Sequence, residues 1–175
     1  MALKATIFKA ELQVSDLDRH YFATHSLTIA RHPSETDERM MVRLLAFALN
    51  AHEYLEFGRG LSAEDEPDLV QRDLTGAIDL WIEVGLPDER EVRKASGRAR
   101  AVKVYTYGGR SAAMWWDQNR AALARLDNLT VVDIPVAIGN LAARNMSLQC
   151  TIQDGQLYLS TEGEDTLHFE PTVLS

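Results

Sequence analysis

The chain has 175 residues, 46% of them hydrophobic and 25% charged. That size and balance give one globular domain whose core needs neither disulfides nor a structural metal. A formal net charge of −8 argues against a protein that coats nucleic acid stoichiometrically, because phosphate binding favours a basic surface. It does not exclude a catalyst, since metal sites are themselves acidic. Cys150 is the single cysteine, so an intrachain disulfide is excluded and a reducing cytoplasm is the expected setting. No stretch is apolar enough for a signal core or a membrane helix, so a soluble chain with no membrane partner is expected.

Residues 5–14, "ATIFKAELQV", alternate: Phe8, Ala10, Leu12 and Val14 face one way, Lys9, Glu11 and Gln13 the other. A period of two predicts a half-buried strand. Residues 26–31, "SLTIAR", predict its hairpin partner. From His32 the sequence turns helical. Ser34 and Asp37 form a capping-box-like start, and Glu35, Asp37 and Glu38 place negative charge at the positive end of the helix dipole. Met41, Val42, Leu45, Ala48 and Leu49 make its core stripe. Gly58 and Gly60 mark the exit, and Ser62 to Pro67 is an acidic turn.

In "AIDLWIEVG", Ile78, Leu80, Ile82 and Val84 form an apolar face, and Asp79, Trp81, Glu83 and Gly85 share the other. This strand is expected in the sheet interior. Pro87 and Asp88 open a helix to about Ala99, "AVKVYTY" is the next strand, and "RSAAMWWDQNRAALARL" the next helix. "LTVVDI" is a short strand and "PVAIGNLAARN" a short helix weakened by Gly139. "SLQCTIQ", Asp154-Gly155 and "QLYLS" form a hairpin, because Asp-Gly suits a type I′ turn. "TLHFEP" adds an edge strand. Strands alternating with helices predict a mixed sheet flanked by helices. The terminal strands, about 5–31 and 147–170, predict a small added antiparallel sheet beside a core of about 34–134, all within one domain spanning 1–175.

The acids carry the candidate chemistry. Asp79 and Glu83 lie ~13 Å apart along a strand, too far to share an ion directly. Glu83 therefore needs a partner from another element. Asp68 supplies one if "PDLVQ" is the first arm of a hairpin returning through Thr75 and Gly76. Glu38 sits at the end of the helix core stripe, where a carboxylate must be paired, hydrogen-bonded or metal-bound. Carboxylates from such elements suit Mg²⁺ or Mn²⁺, hard cations that take oxygen ligands and keep several waters. A nearby ammonium would assist, from Lys94 on the following helix or Lys103 on the following strand.

The order helix Glu38, hairpin Asp68, strand Glu83, helix and strand resembles the PD-(D/E)XK nuclease core. The stretches "MALKATIFKAEL", "LTIARHPSETDERMMVRLLAFAL", "GLSAEDEPDLVQRDLTGAIDLWIEVGLPDER" and "MSLQCTIQDGQLYLS" are similar to the YaeQ family across most of the chain. The resemblance implies a variant nuclease fold with an added antiparallel sheet, in bacterial cytosolic proteins. It implies that Glu38, Asp68 and Glu83 are the acidic, metal-holding set, with Lys94 assisting catalysis. Gly85 stands where the nuclease pattern has its lysine. Two functions follow: a Mg²⁺-dependent phosphodiesterase, or a catalytically silent nuclease fold that binds nucleic acid or a protein partner. A third reading is a structural or assembly protein whose acids merely solvate a groove.

Other features are weaker. Arg90, Arg93, Lys94, Arg98, Arg100 and Lys103 cluster within residues 90–103, either as a solvated face or as a patch that steers phosphate. Trp115 and Trp116 read as core and its margin, with base stacking as the alternative. The histidines lack metal-ligand spacing. Cys150 reads as a buried small hydrophobe. "YGGRS", residues 107–111, is a strand-to-helix turn more than an anion site.

Overall fold

The computed structural model describes residues 4–58, 66–163 and 166–175. Its elements, in chain order, begin with β1 (Thr6–Asp16), β2 (Tyr21–Arg31), α1 (Asp37–Leu49), β3 (Leu55–Phe57), β4 (Leu69–Arg72) and β5 (Ile78–Val84). They continue with α2 (Glu89–Arg98), β6 (Ala99–Thr106), α3 (Arg110–Leu123) and β7 (Leu129–Asp133). The last strands are β8 (Asn145–Gln153), β9 (Gln156–Thr161), β10 (Leu167–Phe169) and β11 (Thr172–Val173). The chain is a mixed α/β protein with two mixed sheets and two compact units. One unit holds Met1–Ala51 and Ile138–Pro171, the other His52–Ala137 and Thr172–Ser175. Gly60 and residues 62–65 of the expected acidic turn lie outside the described residues. No helix among the described residues is long and apolar enough to cross a membrane.

The first unit is built on a sheet of order β10-β9-β8-β1-β2. β1 and β2 form the expected hairpin, in unbroken antiparallel register from Thr6↔Arg31 to Asp16↔Tyr21. Phe8, Ala10, Leu12 and Val14 are all buried, as alternation requires. The β8–β9 turn has positive φ at both Asp154 and Gly155, and the Asp18 carboxylate accepts both of their amide N–H groups at 2.7 and 2.9 Å. One expectation is corrected. β1 pairs with β8 in parallel, so this sheet is mixed and not antiparallel, and with five strands it is not a minor appendage. The chain reaches β8 after running through the second unit and returns in the direction of β1. The expected helix around Gly139 is also shorter than predicted: a single 3₁₀ turn at Gly139–Leu141.

Helix α1 is capped by Thr36, whose side chain accepts from the Arg39 N–H at 3.1 Å, two residues later than the Ser34 start expected. Glu35, just before the cap, is buried and chelates the guanidinium of Arg43, with contacts of 2.6 and 2.9 Å. Arg43 also donates to the Ala30 carbonyl at 3.0 Å, so one buried ion pair fastens α1 to the end of β2.

The second unit has the sheet order β11-β7-β6-β5-β4-β3. β5, β6 and β7 are parallel, joined by α2 and α3, and the antiparallel strands β4, β3 and β11 lie outside them. β5 is interior, as its composition predicted: Trp81 on one face is 3% exposed and Ile82 on the other 0%. Trp81, Val102, Ala95 and Ala99 pack together, as do Val92, Val104, Trp115, Leu123 and Val131. The Trp81 face of β5 is therefore the face covered by the helices.

The Glu35–Arg43 pair generates a stability prediction. Glu35→Ala leaves a buried guanidinium without its counter-charge and should cost about 3–5 kcal/mol, read as a fall in urea midpoint. The double change Glu35→Leu with Arg43→Met should recover most of that loss. Equal loss in the single and double variants would show that the pair contributes through shape alone.

Candidate functional site

The β4–β5 hairpin brings two of the expected acids together. Leu69 pairs with Ile82, and the Asp68 N–H donates to the Ile82 carbonyl at 2.9 Å, which sets Asp68 opposite Glu83. The Asp68 carboxylate is buried and accepts the N–H of Val84 through Oδ2 at 2.7 Å. Asp68 is thus anchored to the backbone of the residue that follows its partner acid. Glu83 accepts the indole N–H of Trp81 through Oε1 at 2.7 Å. Burial pushes the Glu83 carboxyl up to about 8, with the Asp68 charge next in importance and a hydrogen bond shared with Asp68 acting in the same direction. Two neighbouring carboxyl groups withdrawn from water cannot both ionise cheaply, so the pair holds a proton or awaits a cation.

Gly85 differs from its expected placement. β5 ends at Val84, and Gly85 has φ +107. A side chain there would not continue the face of Trp81 and Glu83. A Cβ at Gly85 meets no atom within 4 Å, so the barrier to a lysine is the backbone conformation alone, one that L residues rarely adopt.

Lys94 is exposed on α2. Because β5 and β6 are parallel, α2 runs back antiparallel to β5. Arg98 lies over the Trp81 ring, 4.8 Å from guanidinium carbon to centroid. Lys94 lies one turn before Arg98 on the same helix. Glu91, three residues before Lys94, is the helix acid whose charge raises the Glu83 carboxyl further. Lys103 fits less well. It is in register with Ile82, while Val104 is in register with Glu83, so alternation puts Lys103 on the opposite face of the sheet.

Glu38 belongs to the first unit. Its carboxylate accepts the N–H of Ile138, at 2.9 Å to Oε2, and that of Gly139. A Cβ at Gly139 would stand 2.8 Å from Glu38 Oε2 and 2.9 Å from its backbone nitrogen, so glycine is required for this close approach. Glu38 thus cross-links the start of α1 to the turn at Gly139–Leu141. Among the described residues no group of three or more His, Cys, Asp or Glu is placed to hold a metal ion. The expected basic patch is partly neutralised: Arg93 pairs with Glu89, and Arg100 lies 3.5 Å from Asp73 and 3.2 Å from Asp79. Trp115 is core, its indole N–H donating to the Pro87 carbonyl at 2.8 Å. Cys150 is buried, which pushes its thiol up to about 12.

Two features escaped the sequence reading. Trp81 was placed there on the face of Glu83 without a role, although a Trp two residues before a Glu on one strand face is within reach of its carboxylate. Glu91 stood in a helix turn with no sign of its target.

A family model described as YaeQ protein matches residues 1–170. The chain is 51% identical over 166 residues to the Uncharacterized protein YaeQ of Escherichia coli strain K12, covering 93% of this chain and 92% of that protein. It is 51% identical over 164 residues to that of Salmonella typhi, covering 91% of each. The crystal structure of YaeQ protein from Xanthomonas axonopodis pv. citri matches with TM-score 0.93 and 49% identity over 98% of each chain. That from Pseudomonas syringae matches with TM-score 0.90 and 33% identity, over 98% of this chain and 96% of the other. The chain belongs to the YaeQ family.

The raised Glu83 carboxyl predicts a pH dependence of stability. Its ordinary value is 4.5 and its folded value about 8, so between those limits the folded state holds a proton that the unfolded chain has released. Stability should therefore fall as pH rises through that window and be regained on acidification toward its lower edge. In denaturant melts at several pH values, Glu83→Gln should flatten this slope. An unchanged slope would assign the proton elsewhere.

Proposed function

We propose that the protein is a metal-dependent phosphodiesterase on a PD-(D/E)XK-like core, with nucleic acid as its candidate substrate. Asp68 and Glu83 would hold Mg²⁺ or Mn²⁺, and Lys94 would supply the ammonium. The observation that carries this reading is the pair of buried Asp68 and half-buried Glu83, two carboxyl groups sharing a hydrogen bond while Asp68 is pinned to the Val84 N–H. An all-oxygen pair of this kind suits Mg²⁺, which is held by one or two carboxylates and keeps its remaining waters for substrate. Bound there, the ion would polarise a phosphoryl oxygen and lower the pKa of an attacking water. Lys94, on the helix that follows β5, would set positive charge where the phosphoryl group becomes more negative. Glu38 is assigned to the helix–turn contact and not to the ligand set, because its carboxylate accepts from Ile138 and Gly139.

Mn²⁺ titration by calorimetry should reveal one site that Asp68→Ala or Glu83→Ala removes, with affinity that rises as pH climbs toward 8. Single- and double-stranded DNA and RNA should be cleaved with Mg²⁺ or Mn²⁺, and Lys94→Ala should lower the rate on the order of 10²-fold. Lys103→Ala should have little effect. Gly85→Lys should not restore a Lys94→Ala enzyme, because of the positive φ at Gly85. No heat up to millimolar Mn²⁺ would rule the metal reading out. Nucleic-acid or protein binding without cleavage would favour the silent binding module instead.

A further inference from the structure

We infer that Trp81 is a positioning residue that fixes the Glu83 carboxylate for the ion. The inference rests on the metal reading above. A glutamate at the end of a strand has three rotatable side-chain bonds, and ordering it costs conformational entropy that a metal site must overcome. Here the ordering is done in advance. The indole N–H of Trp81 donates to Glu83 Oε1 at 2.7 Å, and an indole nitrogen is a donor only, so it binds the carboxylate in a single sense. Trp81 is itself immobilised: it is 3% exposed and packs with Ile78, Ala95, Ala99 and Val102. The Arg98 guanidinium covers its ring at 4.8 Å. Asp68 is held in a parallel way by the Val84 N–H at 2.7 Å. Each acid thus has one oxygen tied to the scaffold, one by a side chain and one by the backbone, and the pair is presented as a unit. Partners of this kind, which touch a ligand and not the ion, typically account for 10–100-fold in metal affinity.

The alternative is that the indole N–H merely satisfies itself on a convenient acceptor. Trp115 is the control, because it too is buried and its N–H is bonded, to the Pro87 carbonyl at 2.8 Å. Trp81→Phe and Trp115→Phe each remove one indole donor and keep an aromatic ring. Trp81→Phe should weaken Mn²⁺ binding by calorimetry about tenfold or more, and Trp115→Phe should leave it unchanged. Without metal, the Trp81 indole cross-peak in a ¹⁵N–¹H spectrum, assigned by its loss in Trp81→Phe, should shift in Glu83→Gln. It should shift again when Mg²⁺ is added to the wild type, with the Trp115 signal moving less. Mn²⁺ binding of equal affinity in wild type and Trp81→Phe would overturn this inference alone. So would a Trp81 signal indifferent to Glu83→Gln. A wild type that binds no Mn²⁺ would overturn the metal reading and the inference with it.

Discussion

The hydrogen bond from the Val84 N–H to the Asp68 carboxylate is the contact on which the candidate site depends. It is a local bond across one hairpin, between groups that are buried. It sets a carboxylate beside the residue preceding Val84, which is another acid. Once Asp68 is held there, Glu83 must either keep a proton or find a cation, because two adjacent carboxylates in a partly dehydrated position repel strongly. Arg93 and Arg100 are engaged with Glu89, Asp73 and Asp79, and the charge of Glu91 on α2 raises the Glu83 carboxyl further. A site meant only for stability would more economically place an apolar pair at these positions.

The same hairpin dictates where a lysine can come from. β5 must leave the sheet after Val84 so that the chain can turn into α2, and it does so through a positive φ at Gly85. The backbone that makes the turn is the backbone a lysine would have to adopt at that position. In the proposed reading the crossover helix would offer the replacement: Arg98 meets Trp81, and Lys94 lies one turn earlier on the same helix. A helix position of the β5–α2–β6 crossover would then stand in for a strand position without a rearranged fold.

What was legible in the sequence was local. Period-two alternation marked β1 and β5, the Asp-Gly pair marked the β8–β9 turn, and the hairpin through Thr75 and Gly76 carried Asp68 to Glu83. All of these signals act over a few residues. The parallel pairing of β1 with β8 left no such trace, since its partners are separated by most of the chain and parallel ladders have no turn signature. The short strands β3 and β11 are too brief to show a period. Glu38 shows how a sequence pattern can state a need without naming its partner. A carboxylate at the margin of a helix core stripe does need partners, but the partners are backbone amides at residues 138 and 139, a kind of acceptor demand that no side-chain pattern records. The φ at Gly85 was equally hidden, because the sequence marks a glycine without saying which of its conformations is used.

The charge balance decides the order in which such a site would work. The chain carries a net charge of −8, and part of the basic stretch on α2 and β6 is already paired, so a broad electrostatic attraction for a polyanion is not built into this region. An ionised Asp68–Glu83 pair would repel a phosphodiester outright. A divalent cation reverses that sign locally, neutralising the two carboxylates and offering its remaining coordination positions to phosphate oxygens or water. In the proposed reaction metal would therefore precede substrate. The proton held by the raised Glu83 carboxyl would be the ion's competitor, displaced by an ion bound at neutral pH. Metal affinity, substrate affinity and pH would then be linked through one carboxyl group, which accepts the indole N–H two residues before it.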